Sequence, residues 1–129
     1  MSTFKLSTRS LGRLVGVHPD LVKVVHRAIE ITKTDFSVVE GLRTLATQRR
    51  YFQLGKSKTM RSRHLTGHAV DLAPWVNGTI DWDDPAGWGS VAIAMKAAAN
   101  QVHVPLEWGG DWHSFVDKPH FQLPWKEYP

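Results

Sequence analysis

Two short segments of the sequence carry residues that could hold a metal ion and use it for hydrolysis. The first runs from Ser62 to Asp71 and contains His64, and the second contains Asp117 and His120. Two imidazoles and a carboxylate can bind a catalytic zinc while one coordination position stays open for water. Asp117, three residues before His120, could accept a proton from that water. The pattern therefore predicts metal-assisted hydrolysis.

The residues around Asp71 alternate in polarity and size as expected for a β-strand. Val70 and Leu72 fall on one face, which we assign to the core. Asp71 falls on the opposite face between two small residues, Ala69 and Ala73. Small neighbours leave room beside the carboxylate for a metal and a substrate.

The segment around His120 repeats this arrangement. His120 and Gln122 share one strand face, and Phe121 and Leu123 share the other, which again suits the core. If this strand pairs with the one that carries Asp71, the histidine and the carboxylate come together.

The loops next to these strands position the remaining polar groups. His64 precedes the first strand, on a loop that Gly67 allows to turn back. Pro119 restricts Lys118 to extended backbone and so fixes how Asp117 is presented beside the last histidine.

The combined motifs resemble those of the D-Ala-D-Ala carboxypeptidase and VanY-like zinc peptidases, and in particular the branch of phage endolysins that act as L-alanyl-D-glutamate peptidases. The resemblance spans roughly residues 20–124. It is carried by Ser62-x-His64-x-x-Gly67-x-Ala69-x-Asp71, by Trp108-Gly109-Gly110-Asp111-Trp112 with Asp117-x-Pro119-His120-Phe121, and by Gly41-Leu42-Arg43-Thr44.

Carried over residue by residue, the resemblance implies a hedgehog/D-Ala-D-Ala peptidase-like fold and one zinc per chain, held by His64, Asp71 and His120. It also implies that Asp117 is the general base and that Arg43 stabilises the transition state. The implied substrate is the peptidoglycan stem peptide, cut between L-Ala and D-Glu with lysis of the host cell. One departure is Asp117 itself, because other members of the wider family have Glu there.

Three alternatives stay open at this level. The same site could cleave D-Ala-D-Ala as a carboxypeptidase or dipeptidase. The chain could instead be a non-catalytic module that binds zinc or the bacterial envelope. Asp111 is a rival to Asp117 as the base, although its distance along the chain from His120 favours a structural role.

Further polar and aromatic residues are candidates for substrate contacts. Ser62, Trp112 and His113 lie next to the ligand motifs, whereas His68 suits a buried or supporting position better than ligation. We expect most of the six tryptophans to be core residues and one or two to wall a groove. They are Trp75, Trp82, Trp88, Trp108, Trp112 and Trp125.

Composition limits the class of protein. The 129 residues suit one catalytic domain, residues 1–129, without a separate cell-wall-binding domain, and we expect a monomer. The absence of cysteine excludes disulfides and thiolate metal sites. The chain has no long apolar run and begins without a signal-peptide pattern. We therefore expect synthesis in the host cytoplasm and release to the cell wall by another factor.

Charge is unevenly distributed along the chain. Residues 1–65 hold 13 Lys and Arg against 4 Asp and Glu, whereas residues 66–129 hold 3 against 8. Such a basic half favours attraction to an anionic surface such as the bacterial envelope, with nucleic acid as the weaker alternative. We expect a group of six cations, here called the basic stretch, to contact the envelope without contacting the metal: Arg49, Arg50, Lys56, Lys58, Arg61 and Arg63.

Periodicity and turn signals predict an α+β fold with helices packed on one small antiparallel sheet. Helices are predicted over about 20–32, 45–54 and 86–102, from the apolar spacing, Pro19, Pro85 and the stop at Gly55. Strands are predicted over about 36–40, 69–73, 106–108 and 120–123, with a turn at Asn77-Gly78.

Overall fold

The computed structural model describes residues 3–129, and these form an α+β fold as predicted. The described residues contain four α-helices, namely α1 (Thr8–Arg13), α2 (Pro19–Ile31), α3 (Leu45–Gln53) and α4 (Pro85–Gln101). Their five strands are β1 (Phe36–Glu40), β2 (Ala69–Val76), β3 (Thr79–Ile80), β4 (Glu107–Trp108) and β5 (His120–Gln122). Short 3₁₀ helices cover Arg63–Thr66 and Gly109–Asp111.

The sheet is antiparallel and places the two motif strands side by side. Its strand order is β1-β2-β5-β4, and β3 forms a hairpin with β2. Asp71 and His120 are direct register partners, which confirms the predicted pairing. The β2–β3 hairpin turns at Asn77 and Gly78, with φ of 54° and 80°, as the sequence predicted for this dipeptide.

The core lies between the sheet and the two longest helices. Pro19 begins α2, and Asp84 caps α4 by accepting a hydrogen bond from the amide of Gly87 at 3.0 Å. Helices α2 and α4 pack together, and α4 also contacts β2. The fully buried apolar side chains include Leu21, Val24, Val25, Ala28, Val38, Val70, Leu72, Met95, Ala98 and Leu123.

Helix α1 was not predicted, because six residues are too few to show helical periodicity. Its stability comes from the sheet edge that it covers. Ser10 Oγ accepts a hydrogen bond from the amide of Val38 at 2.9 Å, and Arg13 donates to the carbonyl of Val38 at 2.9 Å. These bonds satisfy backbone groups that an edge strand would otherwise expose.

The prediction that most tryptophans are core residues is wrong. Trp88 is buried, whereas Trp75, Trp82 and Trp125 are exposed and the other two are half-buried. Aliphatic side chains of α2, α4 and the sheet already fill the interior. In the described residues no helix is long and apolar enough to cross a membrane.

Candidate active site

Three side chains from both motifs converge at the β2–β5 pair. Oδ1 of Asp71 lies 3.1 Å from Nε2 of His64 and 3.4 Å from Nδ1 of His120. One donor atom from each residue lies within 4.8 Å of the others. The two imidazole rings are edge-on, with centroids 5.0 Å apart. The three predicted ligands therefore form one compact donor set.

The position of His64 is set by the 3₁₀ helix at residues 63–66. Ser62 caps this helix by accepting a hydrogen bond from the His64 amide at 3.2 Å, and the turn ends at Gly67 with φ of 77°. Nδ1 of His64 lies 2.8 Å from the carbonyl oxygen of Gly41. Because a carbonyl only accepts, Nδ1 carries a proton, and Nε2 faces Asp71. This nitrogen donates to Asp71 when the ring is protonated and offers its lone pair to a metal when the ring is neutral.

The second histidine is oriented in the same way but through its other nitrogen. Nε2 of His120 lies 2.7 Å from Oε1 of Gln122. With Gln122 accepting, Nε2 donates, and Nδ1 faces Asp71. Like Nε2 of His64, it donates to Asp71 in the protonated ring and offers a lone pair in the neutral ring. Both rings are buried, so each is held with one nitrogen free for a metal.

The electrostatics of Asp71 also suit a metal ligand. Burial alone would raise the pKa of its carboxyl, but hydrogen bonds and charge attraction from His120 and His64 in their protonated forms outweigh burial and hold the pKa well below its usual range. Asp71 is therefore a carboxylate at neutral pH. Two neutral imidazoles and one carboxylate are a donor set that zinc binds with a position left open.

Asp117 lies at the edge of this cluster. Its Oδ2 is 4.0 Å from Nδ1 of His120. Its amide donates to the carbonyl of Gly109 at 2.9 Å, and its carbonyl accepts from the amide of His120 at 3.1 Å. A β-carbon on Gly109 would lie only 2.3 Å from the Asp117 carbonyl oxygen, so this close approach requires glycine. Burial, and next the charge of Asp71, raise the pKa of Asp117.

Asp111, the rival to Asp117, lies elsewhere. Its side chain is exposed and pairs with Nζ of Lys96 at 2.7 Å. Asp111 does not line the cleft above the donor set, whereas Asp117 does. The structure therefore brings Asp117, and not Asp111, to the donor set.

Arg43 reaches the cluster from the end of β1. Its guanidinium is buried and forms an ion pair with Glu40. Nη1 donates to Oε1 of Gln48 at 2.6 Å, and Cζ lies 4.8 Å from the ring centroid of Tyr51. Nη2 lies 3.8 Å from Oδ2 of Asp71. Glu40, Gln48 and Tyr51 thus hold a fixed cation beside the donor set.

The donor set opens into a cleft of about 820 Å³. Ser62 and Trp112 line this cleft, and the Trp112 ring centroid lies 5.2 Å from that of His120. His113 is exposed and is not among the residues that line the cleft. His68 stays outside the donor set, as expected, and its Nδ1 lies 2.7 Å from Oγ1 of Thr66.

The six cations of the basic stretch lie in three different settings, and only the buried position of Arg63 contradicts the expected contact with the envelope. Lys56, Lys58 and Arg61 are exposed side chains that line the cleft. Arg63 is buried, where it donates to the carbonyl of Leu123 at 3.0 Å and to that of Tyr128. Only the two arginines of α3 are exposed away from the cleft. Attraction to the envelope stays a prediction for the five exposed cations of the stretch.

Sequence reasoning missed three residues that support the site. Gln122 was assigned to the open strand face but given no role, although it orients His120. Glu40 and Gln48 lie outside the motifs, and polar residues at a strand end and on a helix give no signal of a buried contact to Arg43.

Comparison with known proteins links this geometry to a family. Residues 1–123 match the family described as phage L-alanyl-D-glutamate peptidase. The chain is 36% identical to the L-alanyl-D-glutamate peptidase of Escherichia phage T5, over 89% of this chain and 86% of that protein. It is 38% identical to the L-alanyl-D-glutamate peptidase of Listeria phage A118, over 70% of this chain but 31% of that longer protein.

A solved structure is similar over nearly the whole chain. The L-Ala D-Glu endopeptidase ChiX of Serratia marcescens superposes with a TM-score of 0.91 at 44% identity, covering 98% of this chain and 94% of that one. The fold class predicted from the sequence is therefore confirmed.

Proposed function

The chain belongs to the phage L-alanyl-D-glutamate peptidase family, and we propose that it hydrolyses the amide bond between L-Ala and D-Glu in the stem peptide of bacterial peptidoglycan. It is a peptidoglycan endopeptidase, as its relatives are. The observation that supports the bond-cleaving role most directly is a His/Asp/His donor set at the floor of a cleft that also contains the Asp117 carboxylate.

We propose that one zinc ion binds His64 through Nε2, His120 through Nδ1, and Asp71 through its carboxylate. The hydrogen bonds that the two rings donate to the Gly41 carbonyl and to Gln122 Oε1 leave the other nitrogens available to a metal, and the donor types are those of catalytic zinc sites with an open position. A zinc ion held there would supply Lewis-acid chemistry, polarising the scissile carbonyl and making water more acidic.

Asp117 is proposed as the general base. Its carboxylate lies in the cleft, 4.0 Å from a proposed ligand, and its backbone is fixed on both sides by hydrogen bonds to Gly109 and His120. It would take the proton of the attacking water and later give it to the amine that leaves with D-Glu.

Arg43 is proposed to stabilise negative charge on the carbonyl oxygen in the transition state. A guanidinium that is already held by Glu40 and Gln48 needs little reorganisation when charge develops next to it. Ser62 and Trp112 line the same cleft and are proposed to contact the peptide, and His113 stays a weaker candidate because it lies outside the lining.

The remaining proposals concern the oligomeric state and the cellular compartment. All of these residues come from one chain, which suits a monomer. The activity belongs in the cell wall, where peptidoglycan lies, and its outcome there would be lysis of the host. Release to that compartment by another factor stays a prediction.

Mass spectrometry of fragments from purified peptidoglycan tests the proposal. We expect stem peptides that begin with D-Glu, and glycan strands that retain L-Ala, and we expect neither after treatment with a chelator. Release of terminal D-Ala alone would point instead to the D-Ala-D-Ala carboxypeptidase alternative. Zinc binding without any cleavage would point to a non-catalytic module.

A further inference from the structure

We propose that Lys58 and Arg61 are specificity-determining residues that select stem peptides whose D-Glu carries a free α-carboxylate over peptides in which that group is amidated. The proposal rests on the proposed function, because it concerns the same bond and the same cleft. It assigns a role to cations that neither metal binding nor proton transfer uses.

The charges of the cleft are unbalanced in favour of cations. The acidic groups in the lining are all engaged at the donor set: Glu40 pairs with Arg43, and Asp71 and Asp117 lie beside the histidines. Among the described residues, no ion pair includes Lys58 or Arg61. These exposed cations therefore face the cleft without a carboxylate partner of their own.

Aromatic rings hold both cations against the cleft walls. Nζ of Lys58 lies 5.8 Å from the ring centroid of Phe115, and Cζ of Arg61 lies 5.3 Å from that of Trp125. Both rings line the cleft. A cation over a ring face is attracted to it and keeps its N–H donors free for another partner. Phe115 is also two residues from Asp117, so Lys58 lies against the segment that carries the proposed base.

The loop that carries the cations is attached to the catalytic side of the cleft by one buried amide. Gln48 is fully buried and accepts from Arg43 at 2.6 Å. Its Nε2 donates to Ser57 Oγ at 2.8 Å and to the carbonyl of Thr59 at 2.6 Å. The loop and Arg43 are thereby fixed to the same group. A fixed cation can discriminate between ligands, whereas a mobile one contributes only general attraction.

The chemistry of the bond supplies the matching anion. D-Glu is joined to the next residue through its γ-carboxyl, so its α-carboxylate is free and is borne by the carbon attached to the scissile nitrogen. Amidation replaces this anion by a neutral group of nearly the same shape. Both groups can accept hydrogen bonds from Lys and Arg, but only the carboxylate adds the attraction between opposite charges and can accept from the guanidinium through two equivalent oxygens.

Two synthetic stem peptides that differ only in this group, carboxylate or carboxamide, provide the test. The wild type should cleave the carboxylate form with the higher kcat/KM. The double variant Lys58→Gln with Arg61→Gln should lower kcat/KM for the carboxylate form by about tenfold and leave kcat/KM for the carboxamide form nearly unchanged. A modest factor is expected because contacts between partly exposed charges are weak. The charge reversal Lys58→Glu should favour the carboxamide form.

A matched control removes the same amount of charge outside the cleft. Arg49 and Arg50 are exposed on α3 and do not line the cleft, so Arg49→Gln with Arg50→Gln should leave the preference intact. If the control and the cleft variant lose kcat/KM for the carboxylate peptide equally, the proposal is overturned. The overall positive charge of the protein would then explain the preference. A wild type without preference would also overturn the proposal. If neither peptide is cut at this bond, the proposed function itself fails, and the inference fails with it.

Discussion

Asp71 and His120 face each other across the β2–β5 pair as direct register partners, with Oδ1 of Asp71 3.4 Å from Nδ1 of His120. Backbone hydrogen bonds of the two strands hold these two residues opposite each other, so the spacing of this pair does not depend on a loop. The geometry around the pair supports four predictions, and the backbone elsewhere supports a fifth.

The first prediction concerns metal content. The purified chain should carry about one zinc, the usual content of a catalytic site with three protein ligands. His120→Ala should lose the zinc and the activity while the fold survives, because the ring lies on the face of β5 opposite to the core residue Phe121. Elemental analysis and circular dichroism measure the two effects. His113→Ala, which removes an exposed histidine outside the cleft, should keep its zinc. Full activity in protein without zinc would disprove the assignment.

The second prediction separates the two candidate bases. Asp117→Asn should keep the metal but lower kcat by roughly two to four orders of magnitude, the usual contribution of a general base. Asp111→Asn should change kcat little, because Asp111 is exposed and paired with Lys96. Single-turnover kinetics with a stem peptide gives both values. If Asp111→Asn lowers kcat strongly and Asp117→Asn hardly changes it, the assignment of the base is reversed.

The third prediction concerns the group that orients a ligand. Gln122→Leu removes the acceptor of the His120 Nε2 proton. Zinc affinity should fall by roughly 10- to 100-fold, as for other groups that orient metal-binding histidines. Competition with a chromogenic chelator measures the affinity. The control Gln53→Leu, at an exposed position on α3, should have no effect. Unchanged affinity in Gln122→Leu would mean that packing alone orients the ring.

These three predictions also indicate how far the sequence alone reaches. Alternation around Asp71 and His120 was enough to predict that the two strands pair and bring these side chains together, because strand period fixes which side chains share a face. The zinc-binding roles of His64, Asp71 and His120 are implied by the family resemblance and stay a prediction. The support of Arg43 by Gln48 could not be predicted, since it joins a helix to a loop through a contact that only the packed chain creates. Arg63 was misassigned for the same reason, as its partners are backbone carbonyls near the C-terminal end.

The fourth prediction concerns Arg43. Lysine keeps the charge but cannot donate to Glu40 and Gln48 at once from a planar fork. Arg43→Lys should therefore lower kcat by about 10²- to 10³-fold with a smaller change in KM, the pattern expected when transition-state charge loses a donor. Steady-state kinetics on a stem peptide separates the two constants. A rise in KM at constant kcat would instead indicate that Arg43 binds the ground state.

The fifth prediction concerns stability and uses two glycines with nearly the same backbone conformation. Gly55 has φ of 75° and open space around its Cα, whereas a β-carbon on Gly67, at φ of 77°, would lie 2.4 Å from the Gly16 carbonyl oxygen. Gly55→Ala should lower the free energy of unfolding by about 1–2 kcal/mol, because alanine disfavours the left-handed backbone conformation. Gly67→Ala should lower it by about 1–3 kcal/mol more, because its β-carbon also clashes with the carbonyl oxygen. Urea unfolding measures both, and equal losses would contradict the role of close approach at Gly67.

The strand order has a consequence for biosynthesis. β5, the last strand along the described chain, lies between β2 and β4 and carries one of the three proposed ligands. A nascent chain that has not yet emerged beyond residue 122 therefore lacks both an interior strand and a complete donor set. Pairing β5 with β2 joins segments far apart in sequence, and non-local pairing of this kind lowers folding rates in general. Hydrolytic activity should thus appear only after translation of the whole sheet, which keeps incomplete chains inactive on the ribosome.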